Sequence, residues 1–393
     1  MSGAKTLNEK VVSWHLLEDV LGWAAVLVVA IILKFKQTPY LDPALSLFIT
    51  AYILFNVVKR LKETLVIFLQ GVPDDISIDK IEIALIIFLF VGPFLFPNAT
   101  IAEMLIFGIV AISTNIMLGY TGMLSFGQAL FFGTSAYISG LMLLGGFPLF
   151  LAIPVATLGS FIISLFIGYF CVKREGLYFI CLTFAFNQMF YFIAYVWHDV
   201  TGGEDGLVGV ERPTYIDSQL TFYIFTAIMF LFAVIALYKI VTSPLGLIFK
   251  LIRENASRAE AIGYNVRFYK LISFSIASTF TGLAGSLYVL IHSMVPIDQI
   301  HWLKSGDIIF MTLFGGVGSF LGPLIGVVGY IWLSDTFSII WARWPLIMGV
   351  IFAIVVLYFR GGVSELLENL FKKYKSISRK TEHEQDIKNT KLN

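Results

Sequence analysis

Charge is the scarcest property of this 393-residue chain. Only 13% of the residues are charged, whereas an average soluble domain has about 25%. Hydrophobic residues make up 58% of the sequence, so an ordinary soluble enzyme is excluded. The 27 basic and 26 acidic residues leave a net charge of +1, which gives no basic surface to hold nucleic acid. We therefore expect a protein that is embedded in a lipid bilayer.

Cysteine and catalytic motifs are also missing. Cys171 and Cys181 are the only cysteines, too few for a disulfide framework or a metal cluster. No Gly-Lys dipeptide occurs, so the sequence has no Walker A loop for a nucleotide. It also has no nucleophile elbow, no Cys-x-x-Cys pair and no His-Glu-x-x-His helix. The chain is expected to be non-catalytic and without a cofactor, so any ATP and Mg²⁺ would be bound by other chains.

What the sequence has instead is a series of long apolar runs. A helix crosses a bilayer with about 20 apolar residues, and twelve runs approach that length. We predict an all-α, polytopic membrane protein with twelve crossings. The runs are 11–33, 42–58, 82–97, 101–118, 127–145, 148–172, 176–197, 220–241, 268–291, 303–316, 319–335 and 344–360.

The basic residues predict the orientation of these crossings, because short cytoplasmic loops retain Lys and Arg. Basic clusters follow the second, sixth and eighth runs and the last one, from Arg360 onward. Twelve crossings place all four clusters on one side, together with both termini. The acidic 198–219 loop falls on the other side. Both termini are therefore predicted to be cytoplasmic. The basic residues that would be external exceptions are Lys34, Lys36, Lys304 and Arg343.

One cytoplasmic segment, residues 243–263, has the pattern of an amphipathic helix. Ser243 can cap it, Pro244 suits its first turn and Gly263 suits its end. Its apolar residues recur at helical spacing and its charges occupy the other positions. Two interpretations remain open: the helix docks in a groove of a partner protein, or it lies on lipid headgroups. The apolar positions are Leu245, Ile248, Ile252, Ala256 and Ala259.

Two glycine-rich stretches, 119–122 and 315–318, indicate tight turns or interruptions within membrane helices. A broken helix is tolerated in a bilayer where its free backbone groups face protein or a water-filled path. Simple close packing of helices by small residues is the alternative, and it is preferred for the small residues of 275–286. The residues closest to the first break are candidates for lining a translocation pathway. They are Asn115, Gly119, Gly122, Ser125, Gln128, Asn187 and Gln188.

Four motifs in order carry a resemblance to a known family. They are Asn115–Gly133, Thr201–Leu207, Ile252–Gly263 and Phe314–Pro323. Residues 82–363 resemble the LivM-like permease subunits of branched-chain amino acid ABC importers. The resemblance implies a ten-helix permease core in a prokaryotic inner membrane. It also implies partners: a second, LivH-like permease subunit, two ATPase subunits and an external substrate-binding protein.

The resemblance also implies roles for particular residues. The cytoplasmic segment is similar to the element that couples a permease to its ATPase, and the acidic external loop is placed where a binding protein docks. The implied coupling residues are Arg253, Glu254, Arg258, Glu260 and Gly263. The implied docking residues are Gly202, Gly203, Glu204, Asp205 and Gly206.

The first 80 residues do not fit this family. Trp14–Gly22, Tyr40–Ser46 and Leu69–Pro73 resemble the last two membrane helices of cation diffusion facilitators. His15 and Asp19 match half of the metal site of that family, but two ligands do not complete a tetrahedral site, so no metal is expected. We predict three parts: a two-helix fragment over 1–80, a permease domain over 81–363 and a charged cytoplasmic tail over 364–393.

The sequence therefore predicts a permease subunit of an ATP-driven importer for branched-chain amino acids. Urea, amides or other amino acids remain alternative substrates. An ion-coupled secondary transporter is the alternative mechanism, but such carriers place ionisable residues within their spans, and these spans hold few.

Overall fold

The computed structural model describes residues 96–317 and 319–358, together with residues 89, 92 and 93. All of them belong to one of the two units into which the chain divides, Gly71–Asn393. The described α-helices are α1 Asn98–Asn115, α2 Gln128–Leu144, α3 Leu149–Cys171, α4 Leu177–Val196, α5 His198–Thr201, α6 Gln219–Thr242, α7 Pro244–Glu254, α8 Ala256–Ala261, α9 Val266–His292, α10 Trp302–Gly315, α11 Gly322–Ile340 and α12 Trp344–Tyr358.

Six of the described helices are long and apolar enough to cross a membrane. This agrees with the predicted all-α, polytopic fold. The first two predicted runs, most of the third, and both predicted domain limits lie outside the described residues. The division into three parts therefore stays a prediction.

Helices α1 and α9 form the centre of the described bundle. From Ile101 onward α1 is buried on every side except at Glu103, and α9 packs against α1, α2 and α3. A helix that is apolar all round suits such a central position. In contrast, α3, α4 and α6 turn large apolar side chains outward, including Phe150, Phe192 and Phe232. In a bilayer those faces meet lipid or another subunit.

Small residues allow α9 to approach its neighbours. A Cβ at Gly285 would lie 2.0 Å from the backbone oxygen of Phe132 on α2, and a Cβ at Gly282 would lie 2.3 Å from Ser160 Oγ on α3. The close helix contact predicted for 275–286 is confirmed.

We predict that Gly285→Ala destabilises the protein by about 1–3 kcal/mol, because the new methyl group meets backbone that cannot move aside. Gly306→Ala is the matched control, since a Cβ there has nothing within 4 Å. Thermal unfolding of the purified full chain measures both. Equal melting temperatures for the two variants would contradict the close contact.

The tenth predicted crossing is a short helix. At 14 residues, α10 spans only about 21 Å, less than a bilayer core. A short two-stranded sheet was not predicted. Its strand β1, Leu207–Val208, pairs antiparallel with β2, Met294–Val295, which comes shortly before α10 in the chain. The 3₁₀-turn Ile297–Gln299 then leads into α10. After α10 the chain turns back and α11 packs closely on it, since a Cβ at Gly326 would meet Met311 O at 2.0 Å.

The amphipathic segment 243–263, predicted as one helix, is two helices, and in this detail the prediction is wrong. Asn255 separates α7 from α8 with extended backbone angles (φ −161°, ψ 97°), and its side chain accepts a hydrogen bond from the Arg258 amide at 2.9 Å. Asn favours this capping role over a helix interior. Gly263 then adopts φ +97° directly after α8, as its predicted terminating role requires. The inward face includes Phe249, which the pattern did not select.

Candidate functional site

The central helix breaks on the side of the bundle that carries α7. A π-helix, Ile116–Tyr120, continues α1, and the chain then turns until α2 begins at Gln128. Gly122 has φ +77°, a left-handed angle that favours glycine. The break leaves the first amide groups of α2 without partners inside their own helix, so other parts of the chain must satisfy them.

Side chains from three places satisfy these amides. Each bond is made by a buried hydroxyl or amide oxygen, so the start of α2 is capped by protein. The bonds run from Phe126 N–H to Thr183 Oγ1 (3.2 Å), Gly127 N–H to Ser125 Oγ (3.1 Å), Ala129 N–H to Ser305 Oγ (3.0 Å) and Leu130 N–H to Asn187 Oδ1 (3.1 Å).

Asn187 joins two chain breaks. It accepts from the Leu130 amide at the start of α2, and its Nδ2 donates to the Ile300 carbonyl just before α10 at 2.6 Å. Ser305 of α10 donates to the same Oδ1 at 3.4 Å. Asn187 is fully buried, so its removal would leave backbone groups without water to replace it.

A second set of polar contacts holds the break against α9. Gln128 Oε1 accepts from the Thr281 hydroxyl at 2.9 Å, and Thr121 and Ser273 share a hydrogen bond of 2.6 Å. Ser113 lies 3.3 Å from the Thr281 hydroxyl. The break is therefore fixed by hydrogen bonds to a long helix that crosses the whole bundle.

The two glycine-rich breaks meet each other. Asn115 Nδ2 donates to the Ser319 carbonyl at 3.0 Å, and a Cβ at Gly119 would lie 2.8 Å from Val317 O. The turn between α10 and α11 thus lies on the π-helix, where only a glycine permits this approach.

Of the candidate pathway residues, Asn115, Ser125, Gln128 and Asn187 are fully buried, and each makes one of the hydrogen bonds described above. Gly119 is buried, Gly122 is exposed and Gln188 is half-buried. The structure brings most of them together around the break. Whether any of them contacts a transported molecule stays a prediction.

Helix α7 touches this break directly. The Arg253 guanidinium donates to the Gly119 carbonyl, and Lys250 Nζ lies 5.5 Å from the centre of the Tyr120 ring. A Cβ at Gly122 would meet Arg253 Cγ at 3.3 Å. Arg253 therefore faces the membrane bundle.

All four charged coupling residues are exposed, but three of them differ from Arg253 in their contacts. The side chains of Glu254, Arg258 and Glu260 make no ion pair or hydrogen bond with any part of the chain that the structure describes. These charges are available to another molecule.

The acidic loop at the other end of α4 is tightly folded. Gly202, Gly203 and Gly206 have φ of +78°, +63° and +74°. A Cβ at Gly206 would lie 2.3 Å from Val295 O, so the loop rests on β2. Glu204 and Asp205 are exposed. The glycines bring the loop backbone against the bundle and leave both carboxylates on the surface.

Three ionisable residues lie between α1, α10 and α11. The sequence named Lys304 only as an external exception and did not group it with Glu103 and Asp307. Lys304 Nζ lies 4.5 Å from the centre of the Phe107 ring, and Glu103 and Asp307 are within its electrostatic reach. Asp307 accepts a hydrogen bond of 3.0 Å from the Tyr330 hydroxyl. Lys304 and Asp307 are three residues apart in a helix, which is the signal that could have placed them on one face. Within the described ranges no group of three or more His, Cys, Asp or Glu could hold a metal.

The family profile for "Branched-chain amino acid transport system / permease component" matches residues 97–360. The chain belongs to this family. The LivM permease protein of the high-affinity branched-chain amino acid transport system of Escherichia coli (strain K12) is 20% identical over an alignment of 277 residues; the match covers 63% of this chain and 65% of that relative. A probable LivM permease protein from Methanocaldococcus jannaschii is 22% identical over an alignment of 263 residues, and this match covers 57% of this chain and 76% of the relative. No solved structure matches the chain.

The N-terminal segment matches a different protein family. The profile of the cation efflux transmembrane domain covers residues 3–69. Zinc transporter ZitB of Yersinia pseudotuberculosis is 32% identical over 78 residues, 20% of this chain and 25% of that transporter. Both resemblances read from the motifs are confirmed. The predicted half-site residues His15 and Asp19 lie outside the described residues.

We predict that Asn187→Leu destabilises the full chain by about 2–5 kcal/mol, since it leaves a buried N–H and a buried C=O without partners. Met189→Leu, on the exposed face of the same helix, is the control and is expected to be neutral. The amount of folded protein in gel filtration and its melting temperature measure the difference. A melting temperature unchanged by Asn187→Leu would mean that the caps contribute little.

Proposed function

We propose that this chain is the non-catalytic membrane subunit of an ATP-driven importer for branched-chain amino acids. Membership of the permease family supports a transport role, and the curated relatives named for branched-chain amino acid transport support the substrate. The chain spans 65% of the length of the E. coli relative, so substrate and partners are part of the proposal.

The proposed coupling mechanism rests on the hydrogen bond that the Arg253 guanidinium donates to the Gly119 carbonyl. An ATPase that moves α7 as it closes would pull on the carbonyl at the end of the π-helix. A π-helix is a departure from regular α-helix hydrogen bonding, and such departures often occur at functional positions. The position of α7 would thereby bias two arrangements of the break, and the binding energy of ATP would enter through contacts that differ between them.

The exposed charges of α7 and α8 supply the other half of the coupling. Glu254, Arg258 and Glu260 are exposed, and two ATPase subunits that bind ATP and Mg²⁺ would meet them there. A second, LivH-like permease would complete the membrane part. An external substrate-binding protein would dock on the loop that holds Glu204 and Asp205.

Two alternatives remain as outcomes of the test. Uptake of urea, amides or other amino acids would change the substrate and keep the mechanism. An ion-coupled secondary transporter is favoured by one observation, the ionisable residues Glu103, Lys304 and Asp307 between three helices of the bundle. Uptake that persists without ATP would favour the ion-coupled secondary transporter.

We predict that charge reversal of Arg258 and Glu260 together (Arg258→Glu, Glu260→Lys) lowers ATP-dependent leucine uptake at least about tenfold, because a like charge replaces each attraction to the ATPase. Uptake is measured in cells that lack their own leucine importers and express the full chain with its partner subunits.

Arg174→Glu is the control for this reversal, since Arg174 is an exposed residue in a loop predicted to lie on the same side. Equal amounts of each variant in the membrane are required for the comparison. Full uptake with unchanged stimulation of the ATPase in the double variant would reject these residues as the coupling contact. No uptake of leucine, isoleucine or valine by the wild type would reject the substrate.

We also predict that His15→Ala with Asp19→Ala leaves leucine uptake unchanged, because the half-site takes no part in amino acid transport. Zinc accumulation measured in the same cells should equal that of cells without the chain. Zinc transport that the double substitution abolishes would instead make the N-terminal segment a working transporter.

A further inference from the structure

One face of α4 meets the residues that precede α10. Phe184, Gln188, Tyr191 and Tyr195 lie three or four residues apart and therefore share that face. The Tyr191 ring is 4.9 Å from the His301 ring, and the Phe184 ring is 5.7 Å from the Trp302 ring. We call Phe184, Tyr191, Tyr195, His301 and Trp302 the outer aromatic cluster. It lies at the end of the bundle that holds β1 and β2, which the charge distribution predicts to be external.

Buried oxygens without a partner lie beside this cluster. Tyr137 OH and Gln299 Oε1 make no hydrogen bond to a described residue, although the two residues are only 5% and 8% exposed. Gln188 Oε1, on the shared face of α4, is also unpartnered. Buried polar atoms in native proteins nearly always have a partner. Other buried side-chain atoms of the described residues, such as Asn115 Oδ1, are also unpartnered, so these three oxygens indicate a ligand only together with the rings and carboxylates around them.

These atoms converge with the cluster. Tyr137 is within electrostatic reach of Asp298 and Tyr191. A Cβ at Gly133, one turn before Tyr137, would lie 3.1 Å from the carbonyl carbon of Gln299. The residues that carry the hydroxyl, the amide and the rings therefore belong to α2, α4 and the segment around the turn before α10, and these elements meet in one region.

The chemistry of the region suits a cation that carries N–H donors. Asp298 is exposed, and no ion pair joins its carboxylate to Lys304, although the two are within electrostatic reach. Glu204 lies within electrostatic reach of Tyr191. Carboxylates, aromatic ring faces and amide or hydroxyl oxygens are the groups that recognise an ammonium ion.

We propose that the outer aromatic cluster, together with Asp298, Tyr137 and Gln299, binds the ammonium group of an α-amino acid on the outer side of the permease. The identity of the ligand as an amino acid rests on the proposed function, and recognition of its ammonium group goes beyond it. The cluster would hold a substrate released by a binding protein before the substrate reaches the break between α1 and α2.

Direct binding to the purified full chain in lipid nanodiscs tests this, with isothermal titration of three probes. Leucine carries both charged groups, 3-methylbutylamine keeps only the ammonium, and 4-methylpentanoate keeps only the carboxylate. We expect leucine and the amine to bind, and the carboxylate to bind at least about tenfold more weakly.

Asp298→Asn is expected to weaken leucine and the amine at least about tenfold and to leave the carboxylate unchanged, because the lost interaction is with the ammonium. Glu211→Gln, which removes another exposed carboxylate between α5 and α6, is the matched control and should not alter binding. Tyr137→Phe removes the unpartnered hydroxyl and should weaken leucine less than Asp298→Asn does.

Three results would overturn the proposal: no binding of leucine or the amine, binding of the carboxylate as tight as that of leucine, or an Asp298→Asn variant that behaves like Glu211→Gln. The uptake experiment separates this failure from that of the proposed function. If the probes bind as expected but ATP-dependent uptake is absent, the ammonium site is retained and the importer is rejected. If ATP-dependent uptake occurs but the probes do not bind as expected, the importer is retained and the ammonium site is rejected.

Discussion

A bilayer offers no water to an unpaired N–H or C=O, and this requirement governs the whole described bundle. The chain interrupts its most buried helix at Ile116–Tyr120 and restarts at Gln128, which exposes several amides at once. Thr183, Asn187 and Ser305 supply their partners. The positions of α4 and α10 are thereby tied to the break, because each must bring a particular oxygen to a particular amide. The packing of glycines on neighbouring backbone follows the same logic, since it excludes water from between the helices.

The break is also the point where α7, which the charge distribution predicts to be cytoplasmic, reaches the bundle. Arg253 bonds to Gly119 from one direction, and the turn after α10 lies on the same glycine from another. A displacement of α7 therefore acts on α1, α2 and α10 together. Arg253 and Lys250 contact the bundle, while the side chains of Glu254, Arg258 and Glu260 are exposed. This contact does not depend on whether the exposed charges meet a partner protein or lipid headgroups, the two interpretations that the sequence pattern left open.

The other end of the bundle has a different character. Aromatic rings, exposed carboxylates and unpartnered oxygens gather where α4 meets the segment before α10, and lysine and aspartate side chains lie nearby between α1, α10 and α11. Polar groups of this kind are costly in a membrane unless they have a function or a partner. Unpartnered buried oxygens occur at both ends, since Asn115 Oδ1 at the break also lacks a partner among the described residues. What sets this end apart is that its unpartnered oxygens lie near aromatic rings and exposed carboxylates.

The sequence by itself determined the class of the protein. Long apolar runs with few charges require a helical membrane protein, and the spacing of small residues over 275–286 correctly indicated a close helix contact. The glycine-rich stretches located both breaks, because glycine spacing is a local property. Local pattern also located the amphipathic segment 243–263, although a capping asparagine divides it. Only the tertiary structure decided what satisfies the breaks. Asn187 lies 57 residues from Leu130 and 113 from Ile300, and no periodicity links such positions. The inward direction of Arg253, the grouping of Tyr137, Gln188 and Gln299, and the place of Lys304 inside the bundle are likewise consequences of long-range packing. Local propensity fixes where helices form, but the choice of partner for each buried polar atom depends on which distant helix lies beside it.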